Sequence, residues 1–278
     1  MTQAAGPPVP APAARPSPQE IEGYKRAFAE DGYLVLRNVV SKDGLSQLRT
    51  RILDEFERAR GTLFQGGGGL MAGHLNSFPG EGARFIYETL IDRGIMDVVK
   101  AVFPKVVRGP NVGCNLNLPG SVVQHYHADS NYFTEDFVIV NVAVVDTDLV
   151  NGAIDVLPGT QKKFYPFWRF ALERASRRTT RLPMQQGDIL IRTSNLWHRG
   201  MPNRTNVPRP MVALTWEAGG SQLEDPFKRD AGKITFHANW YRPNFVGRLR
   251  ERTYIAAPFT YDAYRFVRSL AGNKGYSR

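Results

Sequence analysis

Cysteine is nearly absent: Cys114 is the only one in 278 residues, so no internal disulfide can form. A reducing cytoplasm is the default expectation for such a chain, and a lone thiol is most simply a small buried hydrophobe. No apolar run approaches the roughly 20 residues of a transmembrane helix, and no membrane partner is expected. The first 17 residues are rich in Ala and Pro and lack both a basic start and an uninterrupted apolar stretch. They read as a disordered tail rather than a secretion signal. Acidic residues are comparatively few, 26 against 36 Lys and Arg, which gives a net charge of +10. That balance suits a nucleic-acid binder, yet no zinc-finger or RNP signature accompanies it and the basic residues are spread along the chain. No nucleic-acid partner is expected. A repeat of solenoid length is also missing, and Gly66 to Gly69 has neither the preceding strand nor the following Lys-Ser/Thr of a phosphate-binding loop.

What is present is the makings of a large core: 42% hydrophobic residues, with 16 Phe, 11 Tyr and 4 Trp. All-β domains reach this length as single units, so one domain is expected over residues 18–278. Its beginning is helical. Ser17 and Glu20 form a capping-box pattern ahead of the stripe Ile21, Tyr24 and Phe28, and a short strand follows at Tyr33 to Leu36. A second amphipathic helix runs through Leu45, Leu48, Ile52 and Phe56, and a third is expected near Ala83 to Val102. From about residue 106 to 220 the pattern changes to short β-branched and aromatic runs broken by Gly, Pro and Asn, including Val122-Val123, Phe137 to Val145, Ile154 to Leu157, Ile189 to Ile191 and Met211 to Trp216. That spacing predicts a mainly β sandwich or barrel with flanking helices, followed by a C-terminal extension.

The residues able to do chemistry sit in this β part. His127-Ala128-Asp129 is an H-x-D, and a lone His198 follows in Asn195-Leu196-Trp197-His198. Two imidazoles and a carboxylate can occupy one face of an octahedral metal and leave the other open, the donor set of non-haem Fe(II) oxygenases. On a continuous strand His125 would share the face of His127 and Asp129. A rival metal site using His125 and His127 calls for a glutamate a few residues on, where Ser130, Asn131, Tyr132 and Phe133 stand instead; Glu135 comes too late. His74 and His237 belong to no motif, and structural or solvent-facing roles are expected for both.

The order of the remaining pieces is more telling than any one of them. H-x-D is followed by Asn151-Gly152 and Pro158-Gly159-Thr160, then Gly187-Asp188-Ile189, then His198, Asn203 and Arg209. Over roughly Gln124 to Trp216 this resembles the phytanoyl-CoA dioxygenase family of Fe(II)/2-oxoglutarate oxygenases, which includes ectoine hydroxylases and natural-product tailoring enzymes. The resemblance implies a double-stranded β-helix, or cupin-like jelly roll, with helices outside it. It also implies that His127, Asp129 and His198 hold Fe(2+), that Arg209 holds the distal carboxylate of 2-oxoglutarate, and that O2 is the cosubstrate. A guanidinium fork suits a carboxylate better than an ammonium does. Many relatives carry a hydroxyl two residues beyond the Arg, where this chain has Met211; Thr193, Asn117 and Gln124 are the candidate substitutes. Asp129 stands where related halogenases have Ala or Gly, which favours hydroxylation over halogenation.

The implied reaction hydroxylates an unactivated carbon of a small molecule and releases succinate and CO2. Asn115, Asn117, Gln124, His125, Tyr126, Asn131, Tyr132 and Trp216 are the candidates to line the substrate pocket. A lid made from Gly66 to Gly69 and the basic stretch Lys162 to Arg181 would favour an anionic substrate. Two alternatives share the ligands: a metal-dependent jelly-roll hydrolase, which has no use for Arg209, and a non-catalytic small-molecule binding module.

Overall fold

The computed structural model describes residues 15–61, 68–105, 110–129, 137–218 and 225–271. The chain begins with helix α1 (Pro18–Asp31), capped as its sequence dictates: the Ser17 backbone N–H donates to Glu20, and the Glu20 N–H donates to the Ser17 hydroxyl. It stops at Gly32, whose left-handed φ of 82° turns the chain into β1 (Tyr33–Leu36). Helix α2 (Lys42–Arg60) and strand β2 (His74–Phe78) follow. The helix expected over 83–102 is two, α3 (Arg84–Asp92) and α4 (Ile95–Val102), because Gly94 adopts φ 68° and breaks the ladder between them. Then come β3 (Asn111–Asn117), β4 (Phe137–Ala143), β5 (Ile154–Leu157), α5 (Phe167–Leu172), β6 (Thr180–Leu182), β7 (Ile189–Thr193), β8 (Trp197–Arg199) and β9 (Arg209–Glu217). Beyond them are β10 (Thr235–His237), α6 (Phe245–Ala256) and α7 (Phe259–Leu270).

The strands make a seven-stranded antiparallel sheet in the order β1-β7-β4-β9-β3-β2-β10 and a three-stranded sheet β6-β5-β8. Non-consecutive neighbours such as β7-β4-β9-β3 are the crossovers of a jelly roll. β1, β2 and β10 lie outside the stretch 106–220 expected to hold the sheets, yet all three extend the large one. The strand at Tyr33 to Leu36 is expected from the sequence, but the pairings of all three are non-local, and three to five residues of local pattern do not specify a partner.

Period-two alternation assigns the two faces of the large sheet. On one face Val138, Val140 and Val142 of β4, Ile189 and Ile191 of β7, and Val212, Leu214 and Trp216 of β9 pack with Leu45, Leu48, Ile52, Ile86, Leu90 and Val99 of α2 to α4. On the other face Ala143, Leu190 and Met211 meet Val156, Leu182 and Met184 from the side of the small sheet. The functional cavity opens between the sheets beside this second cluster.

The stretch 121–126, expected to contain a strand, is irregular backbone held from outside. Val122 N–H donates to Ala72 O, and Gln124 N–H to Gly200 O at 2.9 Å. The C-terminal helices complete the clamp. Tyr254 Oη donates to Val123 O, Arg265 to Tyr126 O, and fully buried Glu251 accepts from the N–H groups of Gly69 and Ala72. The extension is therefore part of what places the H-x-D.

Candidate metal centre and cosubstrate cavity

Regular pairing resumes at His127, which exchanges both backbone hydrogen bonds with His198 of β8 (2.9 and 2.8 Å), while Asp129 N–H donates to Ser194 O. This bridge brings residues 71 positions apart in sequence into one cluster. His127 Nε2 and His198 Nε2 each lie 3.6 Å from Asp129 Oδ1, and the three potential ligand atoms are all within 4.8 Å of one another. Each ring is oriented by a carbonyl: His127 Nδ1 is 2.8 Å from His125 O and His198 Nδ1 is 3.0 Å from Leu196 O. A carbonyl only accepts, so the protons sit on Nδ1 and both Nε2 lone pairs face the carboxylate. Burial lowers the proton affinity of both rings, that of His198 to about 3, so both are neutral at physiological pH. Burial alone would raise the Asp129 carboxyl, but Arg192, helped by His198 and His127, holds it well below the usual carboxylate range.

Arg192, beside the triad, was missed by sequence reasoning. Its Nη1 lies 2.7 Å from Asp129 Oδ2, and its Nε donates to Asn141 Oδ1 at 3.0 Å. One carboxylate oxygen is thus engaged by a guanidinium and the other left to the histidines. The signal was available: Arg192 follows Leu190 at strand spacing, on the face opposite Ile189 and Ile191.

Arg209 begins β9 and is 5% exposed. Its guanidinium makes long contacts with two carbonyls of the Asn151-Gly152 turn, Nε to Asn151 O at 3.4 Å and Nη2 to Gly152 O at 3.3 Å, and buried Nη1 has no hydrogen-bond partner. No carboxylate pairs with Arg209 among the described residues. Burial draws its proton affinity down only to about 10, so the charge persists. An uncompensated buried cation with an orphaned donor is costly unless an anion completes it. With the donors of the triad, it fits a metal chelated by a dicarboxylate.

The other motif pieces act as framework. A Cβ on Gly152 (φ 93°) would lie 2.6 Å from both Asn117 Nδ2 and Met201 O, so only glycine lets the turn pass under Arg209. Thr160 Oγ1 accepts from Trp197 N–H, fixing β8 next to His198. Asp188 accepts from Asn38 N–H and Gln185 N–H and pairs with Arg37 at 2.6 Å, closing the turn before β7. Fully buried Asn203 donates to Asn117 O and Val207 O, holding the turn that leads to Arg209.

A cavity of about 860 Å³ contains the triad and Arg209, and Asn115, Gln124 and His125 also line it. Gln124 is already engaged, accepting from Gly200 N–H at 2.8 Å. Asn117 lies beside Arg209 across β3 and β9 and donates to Met201 O, while its Oδ1 is buried without a partner. His125 does not share the metal-facing direction: its Nδ1 pairs with Asp262 of α7 at 2.8 Å, and its ring packs against Tyr254 and Tyr261. The reason is the irregular backbone before His127, which breaks the alternation. Tyr126 turns away to donate to buried Asp155.

Two expected contacts are corrected by strand parity. Thr193 is on the face of Ile189 and Ile191, and Trp216 is on that of Val212 and Leu214, 1% exposed and packed near Tyr87; neither lines the cavity. Asn131 and Tyr132 lie outside the described residues, as do Gly66 and Gly67 of the Gly66 to Gly69 stretch. The basic stretch 162–181 contributes nothing to the lining. Lys162 pairs with Glu30, and Arg169 and Arg178 pair with Glu173. Among the described residues, the cations that do line the cavity are Arg192, Arg209, Arg229 and Arg265. His237, expected to be structural or solvent-facing, also lines it and pairs with Asp230.

His74 has the structural role expected of it. It is 3% exposed, and its Nε2–H donates to Val122 O at 2.7 Å. Burial lowers its proton affinity to about 4. The unfolded chain therefore takes up a proton near pH 6.5 that the folded chain refuses until about pH 4, so stability is lost as pH falls through that window. The loss amounts to roughly 3 kcal/mol. Denaturation of the metal-free protein at pH 7 and pH 4.5 should show a smaller acid loss in His74→Gln; an identical loss would remove His74 as its source.

The fold and site together define a double-stranded β-helix with a two-histidine, one-carboxylate cluster and a buried guanidinium in its mouth. The phytanoyl-CoA dioxygenase (PhyH) family model matches residues 28–211. The chain belongs to this family of Fe(II)/2-oxoglutarate-dependent oxygenases. Among solved structures it is similar to the non-haem α-ketoglutarate-dependent epimerase SnoN of nogalamycin biosynthesis, at 19% identity and a TM-score of 0.54 over 72% of this chain and 81% of that one. The carbocyclase SnoK of the same biosynthesis aligns at 14% identity and TM-score 0.55, over 76% and 87%. HygX from Streptomyces hygroscopicus, solved with nickel and 2-oxoglutarate bound, aligns at 15% and 0.56, over 74% and 88%. No described helix is long and apolar enough to cross a membrane.

Proposed function

We propose that the protein hydroxylates an unactivated carbon of a small molecule in the cytoplasm, with His127, Asp129 and His198 as the Fe(II) ligands and Arg209 as the anchor of 2-oxoglutarate. The observation that carries this reading is the buried Arg209 donor without a partner, in the same cavity as two Nε2 lone pairs that converge on one carboxylate oxygen. When bound, iron and 2-oxoglutarate supply an O2-driven oxidation of a C–H bond coupled to decarboxylation of the oxoacid to succinate. The chain's own task is to hold and shield. Arg209 fixes the distal carboxylate, and Ile154, Met211 and Ala213 provide apolar wall in the same cavity. A hydrolase would need a metal-bound water and no anion-completed guanidinium. Epimerisation and ring closure, named for SnoN and SnoK, are other outcomes of C–H oxidation on this fold. The intact carboxylate Asp129 supports hydroxylation over halogenation.

The reading is tested with 18O2. Fe(II)-loaded protein should convert 2-oxoglutarate to succinate carrying one 18O atom, slowly without substrate, and a hydroxylated product should carry the other. Metal-bound protein that makes no succinate under O2 would contradict it.

Arg192 is proposed as the positioning residue of this centre. Loss of groups that orient metal ligands typically costs about 10–100-fold in affinity. Arg192→Met should weaken Fe(II) binding by that factor in competition with a chelator, and Arg192→Lys should recover part of it. Wild-type affinity in Arg192→Met would show that Asp129 needs no such restraint.

A further inference from the structure

The family match ends at residue 211, yet Arg229, His237, Asn239, Trp240, Tyr261 and Arg265 line the same cavity as the triad. One wall of the site is therefore built by residues beyond the matched stretch. Two properties of this wall describe what it would face.

The first is charge. Among the described residues, four guanidiniums line the cavity against one carboxylate, Asp129. Bound Fe(II) and the 2-oxoglutarate dianion cancel, so loading the site leaves the excess in place. Even with Asp230 and Asp262 included, each paired to a lining histidine, the described part of the lining remains cationic. Asp129 accounts for Arg192 and the cosubstrate for Arg209. Arg229 lies with its guanidinium 4.5 Å over the Phe78 ring. The two residues after it, Asp230 and Ala231, are both held at positive φ (51° and 54°), and the Thr235 hydroxyl bonds the Asp230 carboxylate. Backbone strain of this kind persists where surrounding structure enforces it, often at ligand sites.

The second is a fixed aromatic surface. Trp240 is packed by Tyr241 at 4.7 Å, Tyr254 at 5.5 Å and Tyr261 at 6.0 Å between ring centroids, yet remains 39% exposed. Trp240 and Tyr261 both line the cavity. Rings immobilised by their neighbours offer a stacking face at little entropic cost. A cavity of about 860 Å³ also exceeds the needs of a five-carbon cosubstrate and matches the room that drug-sized ligands occupy.

We infer that the C-terminal segment 225–271 is the substrate-selecting wall of this enzyme, and that its substrate is a ring-bearing anion: the flat ring rests on Trp240 and Tyr261, and the anionic group pairs with Arg229. This rests on the oxygenase reading for the identity of the site, though not for the test of the wall. The protein, loaded with Mn(II) and 2-oxoglutarate, is titrated calorimetrically with 2-naphthoate, with the neutral 2-naphthylmethanol, and with the ringless anion octanoate. Naphthoate should bind at least ten-fold more tightly than either. Trp240→Leu and Arg229→Gln should each weaken naphthoate about ten-fold without changing the affinity for 2-oxoglutarate, and Trp240→Phe should retain most of the binding. Equal affinity for the three probes, no binding of any, or naphthoate binding untouched by both substitutions would overturn the inference. Wild-type protein that selects naphthoate but fails to bind 2-oxoglutarate would support the wall and fault the oxygenase reading.

Discussion

Asp129→Asn is expected to lower Fe(II) affinity by more than about 100-fold and to abolish succinate formation, because loss of a direct ligand must exceed the 10–100-fold cost of losing the groups that orient one. The substitution keeps the shape of the side chain, so the effect belongs to charge. Asp129 Oδ1 is the point on which both Nε2 atoms converge, and Oδ2 faces Arg192. A neutral amide presents a weaker donor to the metal and leaves the 7%-exposed Arg192 side chain without its countercharge. A modest drop in melting temperature should accompany the loss of metal, and circular dichroism should still report a folded chain. Metal affinity and succinate formation at wild-type levels in Asp129→Asn would remove this residue from the centre.

Arg209→Leu should raise the Kd for 2-oxoglutarate by about 10²–10³-fold, the range expected when one partner of a buried charge pair is truncated and the other is left unpaired. Metal binding should survive, since Arg209 contacts no member of the triad among the hydrogen bonds described. The substitution also removes a buried cation that is uncompensated before the cosubstrate binds, so the empty protein should be no less stable than wild type. Titration of the metal-loaded variant with 2-oxoglutarate separates the cases. Unchanged cosubstrate affinity would mean that the orphaned Nη1 serves something else.

Much of this site was legible in the sequence because its chemistry is carried by residue types that are costly to bury without purpose. His127, Asp129, His198 and Arg209 stand in a fixed order, and the structure gathers them into one cavity. The glycines of the pattern were legible as well. Gly152 and Gly187 occupy left-handed turns where a Cβ would strike Met201 O or Val40 O. Failures arose where a side chain's direction depends on strand phase. Thr193 and Trp216 fall one residue out of step with Arg192 and with the Arg209, Met211 and Ala213 series. Counting in twos from Arg209 would have excluded Trp216, whereas His125 could not be excluded this way because its backbone is not a strand.

The contribution of the C-terminal segment was the least legible. Arg265, Trp240 and Tyr261 reach the cavity by long-range packing of α6 and α7 on the stretch 121–127, and nothing in their local pattern marks a site. The basic stretch 162–181 misled for the opposite reason: a dense run of Arg is conspicuous in sequence, while Lys162, Arg169 and Arg178 pair with Glu30 and Glu173 and none of the stretch lines the cavity.

The most direct measurement is spectroscopic. Metal-free protein under nitrogen receives Fe(II) and then 2-oxoglutarate, and the visible region is searched for the weak metal-to-ligand charge-transfer band of a chelated oxoacid. The account predicts that the band appears with wild type, is absent in Asp129→Asn, and vanishes in Arg209→Leu at limiting 2-oxoglutarate while returning at excess. No band in wild-type protein that demonstrably holds iron would contradict the assignment of this cavity to 2-oxoglutarate.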